Sequence, residues 1–206
     1  MSDKIIWQSV RNILDTVNSL EALGDVIGRS IMERFRGNHV ADEDWEGNDE
    51  YEGWIEPMFV RSFSLRGNKK SNARITRWIS IGFQLTSDAS EVEWSYGQRA
   101  KLLVGSSKMD YFSFGTDFPD AGGEAEDMTY DERYNSDGFR WIGEKSGDWF
   151  FAVPLDALKG EKDVQRLVVN PLYRLIAGDN SQDALGPIQD ELCLPPEHQE
   201  LSAEAS

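Results

Sequence analysis

Carboxylates crowd into one short stretch of the chain, where they could bind a divalent cation. Residues 37–57 read GNHVADEDWEGNDEYEGWIEP and hold eight acids. Magnesium and calcium prefer carboxylate oxygens, so Asp42, Asp44 and Asp49 are candidate metal ligands. The spacing departs from the calcium loop of an EF-hand, because Glu46 stands at loop position five, where Asp or Asn belongs, and Gly53 stands at position twelve, where Glu belongs. We therefore expect a solvated acidic loop and no resident metal at this stretch.

A second acidic segment, residues 116–137, offers Asp117, Asp120 and Asp127 as alternative metal ligands. The sequence holds no phosphate-binding loop, no dinucleotide-binding glycine motif, no serine-hydrolase elbow and no zinc motif. Both histidines fall in predicted loop or tail, where nothing holds them as catalytic bases. We expect no catalysis and no cofactor. The enzymatic alternative is a metal-dependent hydrolase or nuclease with dispersed carboxylate ligands.

Basic residues dominate the stretch that follows the acidic loop. The segment from Arg61 to Arg77 holds six bases and no acid. A basic hairpin can enter a nucleic-acid groove, but a formal net charge of −16 repels phosphate backbones. We therefore expect these bases to neutralise part of the acidic loop and to fix its position. Contact with a nucleic acid or with a partner protein is the alternative.

Two tryptophans lie inside the acidic loop, where no apolar periodicity explains their burial. An aromatic side chain surrounded by acids can anchor a basic partner, because the aromatic ring supplies buried area and the acids steer the encounter. Packing of the tryptophans on the protein's own sheet is the alternative. The residues predicted to bind the partner are Asp42, Asp44, Trp45, Asp49, Glu50 and Trp54.

The net charge limits the kinds of partner that the protein can bind. An acidic protein repels nucleic acid and anionic membranes, and a basic protein surface is its natural complement. The predicted function is non-catalytic binding of a basic surface on another protein, by an inhibitor, an immunity protein or a nucleic-acid mimic of bacterial or phage type. A self-assembling structural protein is a third alternative, and the sequence does not define the oligomeric state.

The sequence also favours a cytoplasmic protein without membrane contact. Its one cysteine, Cys193, cannot form an internal disulfide. The N-terminal residues lack the basic start and the apolar run of a signal peptide. No stretch approaches the roughly 20 apolar residues that a membrane-spanning helix needs.

Apolar residues at helical spacing predict that two helices precede the acidic loop. The first covers residues 4–17 and the second residues 18–37. Asn18 is the predicted cap of the second helix, and Glu21 is the residue that reaches back to it in a capping box. Both helices are expected to pack on a sheet.

After residue 57 the apolar period becomes alternating, which predicts a mostly antiparallel sheet of about five or six strands. The predicted strands cover residues 58–66, 74–86, 98–105, 111–114, 138–145 and 148–154. The last two form a hairpin that turns at Ser146 and Gly147, and we expect it to be a central part of the sheet. Its predicted packing residues are Phe139, Trp141, Phe151 and Val153.

The chain after the hairpin predicts short helices and then a tail. Residues 154–160 suit a short helix, and a second helix is predicted to begin at the cap Asn170 and to end at Gly178. From Asp179 onward the chain holds seven acids and no base. The predicted architecture is a single α+β domain over residues 1–194, followed by a disordered acidic tail over residues 195–206.

Overall fold

The computed structural model describes residues 3–47, 58–85, 100–108, 134–144 and 146–194. These residues form an N-terminal helix, an antiparallel sheet of seven strands and short C-terminal helices, which confirms the α+β class. The sheet therefore has more strands than the five or six that we expected. The predicted strand at residues 111–114 lies outside the described residues.

The N-terminal unit is one continuous helix, α1 (Asp3–Arg34), and the prediction of two helices is wrong. The apolar spacing passes from Val17 to Leu20 without a change of phase, so one helix keeps all these residues on one face. Asn18, the predicted cap of the second helix, lies inside α1 and therefore does not cap a helix. The neighbouring Ser19 hydroxyl donates to the carbonyl oxygen of Asp15 at 2.7 Å, as serine does inside a helix.

The seven strands lie in the order β1-β2-β3-β4-β7-β6-β5, with every pair antiparallel. Their bounds are β1 (Val40–Gly47), β2 (Met58–Arg66), β3 (Ile75–Gln84), β4 (Lys101–Ser107), β5 (Tyr134–Ser136), β6 (Trp141–Gly143) and β7 (Trp149–Pro154). The predicted hairpin is the pair β6 and β7, which turns at Gly147 with φ +67°. It lies between the central strand β4 and the β5 edge, and not at the centre of the sheet.

Two segments predicted as loops contribute strands. The acidic stretch 37–57 contains β1, and the acidic segment 116–137 ends in β5. The acids of β1 and Asn135 of β5 have low strand propensity, but strand propensity depends on the neighbouring strands. Hydrogen bonding to β2 and to β6 overrides the local preference in these two places.

The core lies between one face of the sheet and a layer formed by α1 and the C-terminal helices. Its fully buried residues include Ile27 and Ile31 of α1, Phe63 of β2 and Ile81 of β3. A smaller cluster packs on the opposite face of the sheet. That cluster consists of Leu103, Trp141, Phe150, Ala152 and Cys193.

The short helix predicted at residues 154–160 is a 3-10 helix (Leu155–Ala157), and the second C-terminal helical segment begins earlier than the predicted Asn170. It starts with α2 (Glu161–Val164), continues through a π-helical turn (Gln165–Val169) and ends with α3 (Asn170–Ala177). Asn170 is therefore inside the helical segment and does not cap it. The wider π-helical turn precedes Pro171, which has no backbone N–H to bond to the preceding turn. The predicted end at Gly178 is confirmed, since its φ of +105° is left-handed.

Beyond Gly178 the chain stays folded up to Leu194. Helix α4 (Ser181–Leu185) begins at Asn180, whose side chain accepts a hydrogen bond from the Asp183 N–H, and a 3-10 helix follows (Gly186–Glu191). The Cys193 N–H then donates to the carbonyl oxygen of Ala152 in β7 at 3.0 Å. The predicted tail, residues 195–206, lies outside the described residues.

Deletion of residues 196–206 is expected to leave the melting temperature unchanged within a few degrees, because so polar a segment cannot offset its ordering entropy. A longer deletion, of residues 191–206, is the control. It removes Glu191, the ion-pair partner of Arg166, and the Cys193 hydrogen bond, and it should lower the melting temperature clearly. Thermal unfolding followed by circular dichroism compares the two. Equal destabilisation by both deletions would show that the tail is docked.

Candidate functional site

The acidic stretch is placed at one edge of the sheet by β1. This strand pairs with β2, and no other described strand lies on its outer side. Its sequence, VADEDWEG, has four acids and no base. The four acids are Asp42, Glu43, Asp44 and Glu46. The sheet edge is therefore a strip of like charge attached to a hydrogen-bonded scaffold.

The register of β1 against β2 breaks in the middle of the acidic strip. Asp42 lies opposite Phe63 and Trp45 lies opposite Arg61, so the step from 42 to 45 on β1 faces the step from 63 to 61 on β2. One extra residue is thus accommodated on β1 as a bulge. A bulge bends the edge strand and increases its local twist. Asp44 lies within it.

Arg61 holds β1 to the rest of the fold. Its guanidinium donates to both carboxylate oxygens of Asp42, through Nε at 3.0 Å and Nη2 at 2.5 Å. Its Nη1 donates to Asp25 of α1 at 3.1 Å. The hydrogen bonds to Asp42, and then that to Asp25, raise the pKa of Arg61 above its ordinary value against the opposing effect of burial. One side chain on β2 therefore connects β1 to α1.

A glycine of α1 allows the helix to approach this arginine. A Cβ atom on Gly28 would lie 3.3 Å from the Arg61 Cζ and 3.4 Å from the Phe63 ring. The Arg61 guanidinium in turn lies over the Phe63 ring, 5.6 Å from its centroid. The Arg61 side chain is only 13 % exposed, so its ion pairs are better shielded from solvent than ordinary surface pairs.

The prediction that the basic hairpin acts within the molecule is confirmed at Arg61. A second base of the hairpin, Arg66, stays within it, because its Nη1 donates to the Ala73 carbonyl oxygen at 2.8 Å. The backbone joins the hairpin to the start of β1 as well. The His39 N–H donates to the Asn68 carbonyl oxygen at 2.8 Å, and the Arg66 N–H donates to the His39 carbonyl oxygen at 2.9 Å.

The predicted partner-binding residues are only partly described. Asp42 is paired with Arg61 and keeps 32 % of its side chain exposed, so it belongs to both the scaffold and the surface. Asp44 and Trp45 are residues of strand β1. The other three predicted residues lie outside the described residues: Asp49, Glu50 and Trp54.

Sequence reasoning missed Asp25 and the shape of α1. Asp25 is distant in sequence from the acidic stretch, and only the packing of α1 on the sheet brings it to Arg61. The N-terminal half of α1 exposes large apolar side chains, of which Trp7 is the most exposed at 63 %. The length of α1 is the signal that could have indicated this exposed half. A helix of 32 residues is about 48 Å long, which is longer than a strand of nine residues.

The described residues contain neither a cluster of metal ligands nor a membrane-spanning helix. No group of three or more His, Cys, Asp or Glu side chains there could hold a metal ion. The alternative ligands Asp117, Asp120 and Asp127 lie outside the described residues. None of the described helices combines the length and the apolar character needed to cross a membrane.

Comparison with known proteins identifies no relative. No family model matches the chain, and neither does any curated protein or solved structure. The α+β fold by itself does not define a function, and the chemistry of the sheet edge is the feature that indicates one.

Proposed function

We propose that this chain is a non-catalytic acidic protein that binds a basic surface of another protein, with β1 and the acidic residues after it as the contact surface. One observation carries the proposal. Four acids fall within the five positions 42–46 of an edge strand, and an arginine of the neighbouring strand holds that strand in place. An inhibitor, an immunity protein or a nucleic-acid mimic would use such a surface.

The charge of the strip favours a cationic partner. Arg61 is shared between Asp42 and Asp25, so it cannot neutralise the whole strip of four acids. The protein around the strip is also acidic, with a net charge of −16. A strip of one sign within a field of the same sign speeds the encounter with a basic protein, and salt weakens this effect.

The strand form of the strip also favours binding. A strand that is hydrogen-bonded to β2 loses less conformational freedom on association than a free loop does. The acids at the edge oppose edge-to-edge pairing of two copies, which is a known hazard of edge strands. The edge therefore selects a basic partner over a second copy of itself.

The test is capture from a lysate of the native cell, with the full chain as bait. The bait variant Asp42→Asn, Asp44→Asn, Asp49→Asn, Glu50→Gln removes four charges of the predicted site. The control variant removes four exposed charges elsewhere: Asp15→Asn, Glu161→Gln, Asp183→Asn and Asp190→Asn.

We expect wild type and control to retain the same basic protein, and the site variant to retain several-fold less of it. Circular dichroism should show all three baits folded. Equal losses in both variants would show that net charge alone is responsible. Equal retention by all three would contradict the assignment of the site to β1.

A further inference from the structure

The N-terminal half of α1 exposes a contiguous apolar face. Its exposed fractions are 54 % for Ile5, 48 % for Ile6, 63 % for Trp7, 49 % for Val10, 38 % for Ile13 and 51 % for Leu14. Single exposed apolar residues are ordinary on protein surfaces, but a contiguous group of large ones marks an interaction surface.

This face continues a stripe that is already core. The apolar residues of α1 alternate at steps of four and three, which places them along one seam. The seam residues are Ile6, Val10, Ile13, Val17, Leu20, Gly24, Ile27 and Ile31. Ile27 and Ile31 are at most 1 % exposed, because they pack on the sheet. The same seam runs beyond the sheet toward the N-terminus with nothing from the described residues covering it.

The helical form of this half calls for a packing partner. Residues 3–17 form a stretch of about 22 Å, and helices in proteins are stabilised mainly by packing of their apolar face rather than by propensity. Steps of four and three suit packing against another helix, which receives each apolar side chain between four of its own. Trp7 and Leu14 flank the seam and widen the apolar face to the width typical of helix bundles.

The charge of this segment allows a second copy of the same helix to pair with it. Residues 3–17 hold two acids and two bases, so the segment is neutral in a chain of net charge −16. The charged residues are Asp3, Lys4, Arg11 and Asp15. Two copies of this protein repel each other through most of their charge, but not through this segment. The acidic edge at β1 lacks that neutrality.

We propose that the face formed by Ile6, Val10, Ile13 and Val17 pairs with the same face of a second copy, antiparallel, to form a homodimer. A two-fold antiparallel pair places Ile6 of each copy beside Val17 of the other, and Val10 beside Ile13. The acidic domains then lie at opposite ends of the helix pair. A parallel pair would set them side by side, within a few screening lengths of about 8 Å at physiological salt.

An open apolar pocket lies where the second helix would end. It has a volume of about 220 Å³ and is lined by Val17, Leu20 and Glu21 of α1 with Phe59 of β2 and Phe83 of β3. In the antiparallel pair the first turns of the second copy reach this place. Apolar side chains from residues 5–7 of that copy match the character of the pocket lining, and their burial there extends the interface from the helix onto the sheet.

The test is the mass of the full chain measured by sedimentation over a range of concentrations. We expect a species of twice 23.3 kDa to accumulate at micromolar to tens-of-micromolar concentration. The variant Ile6→Gln, Ile13→Gln removes two exposed seam residues that lie outside the hydrophobic core of the described residues, and it should stay monomeric. The control Asn12→Gln, Ser19→Gln changes two exposed positions off the seam and should dimerise as wild type does.

A wild type that stays monomeric at all these concentrations would overturn the proposal, and so would a seam variant that dimerises normally. Binding of monomeric wild type to phosphatidylcholine vesicles, with loss of that binding in the seam variant, would overturn it in favour of a lipid surface. A nitroxide at Lys4→Cys reports the orientation by pulsed electron resonance. Antiparallel helices separate the two labelled positions by about 24 Å, and parallel helices bring them to about 10 Å. The shorter distance would refute the antiparallel arrangement.

Discussion

Replacement of Trp141 by alanine is expected to lower the free energy of unfolding by about 3–5 kcal/mol. The Trp141 side chain is fully buried on β6 and stacks on Phe150 of β7, with ring centroids 5.0 Å apart and planes 5° from parallel. Its removal leaves a cavity in the smaller cluster, where Leu103, Ala152 and Cys193 are the remaining buried members. So small a cluster has few side chains that could move to fill the cavity.

Urea unfolding followed by circular dichroism measures this loss. The variant Trp141→Phe is the matched control, since a smaller ring can still stack on Phe150, and we expect it to lose clearly less stability than the alanine variant. If Trp141→Ala unfolded at the same urea concentration as wild type, this cluster would contribute nothing to the fold.

Replacement of Arg61 by leucine is expected to lower the free energy of unfolding by about 2 kcal/mol, because two carboxylates lose a charge-assisted donor. Asp42 and Asp25 both keep contact with solvent, which limits the loss below that of a fully buried pair. The variant should also loosen β1, so hydrogen exchange at the β1 amides should quicken while the β4 amides stay protected.

The control for Arg61→Leu is Arg74→Leu, an exposed base of the same hairpin, which should change stability by less than about 0.5 kcal/mol. A double-mutant cycle with Asp42→Asn isolates the pair, and we expect a coupling of about 1 kcal/mol or more. Additive effects of the two substitutions would show that Arg61 does not hold β1 through Asp42.

The sequence predicted elements well where the local signal and the tertiary environment agree. The alternation in residues 58–66 sets the bounds of β2, and Gly178 ends α3 because only a left-handed residue closes that turn. The prediction was wrong where distant contacts decide. Acids at 42–46 have no local reason to form a strand, and β1 exists because it pairs with β2 and because Arg61 neutralises Asp42.

In the candidate site, too, the prediction was right where the local sequence carries the signal and incomplete where distant contacts decide. The opposite signs of neighbouring segments predicted that the basic hairpin would hold the acidic stretch, and the pair of Arg61 with Asp42 agrees with this. Spacing could not reveal that Asp25 of α1 also binds Arg61, since the two residues are 36 positions apart. Nor could periodicity show where the α1 seam leaves the core, because a buried seam and an exposed one have the same spacing.

The association rate with the captured basic protein, measured over a salt series, tests whether the acidic edge meets the partner. For wild type we expect a rate that falls steeply as salt rises, because the acidic edge steers the encounter. The variant neutralised at Asp42, Asp44, Asp49 and Glu50 should associate several-fold more slowly at low salt and respond weakly to added salt. If that variant associated at the wild-type rate at every salt concentration, the acidic edge would not be the surface that meets the partner.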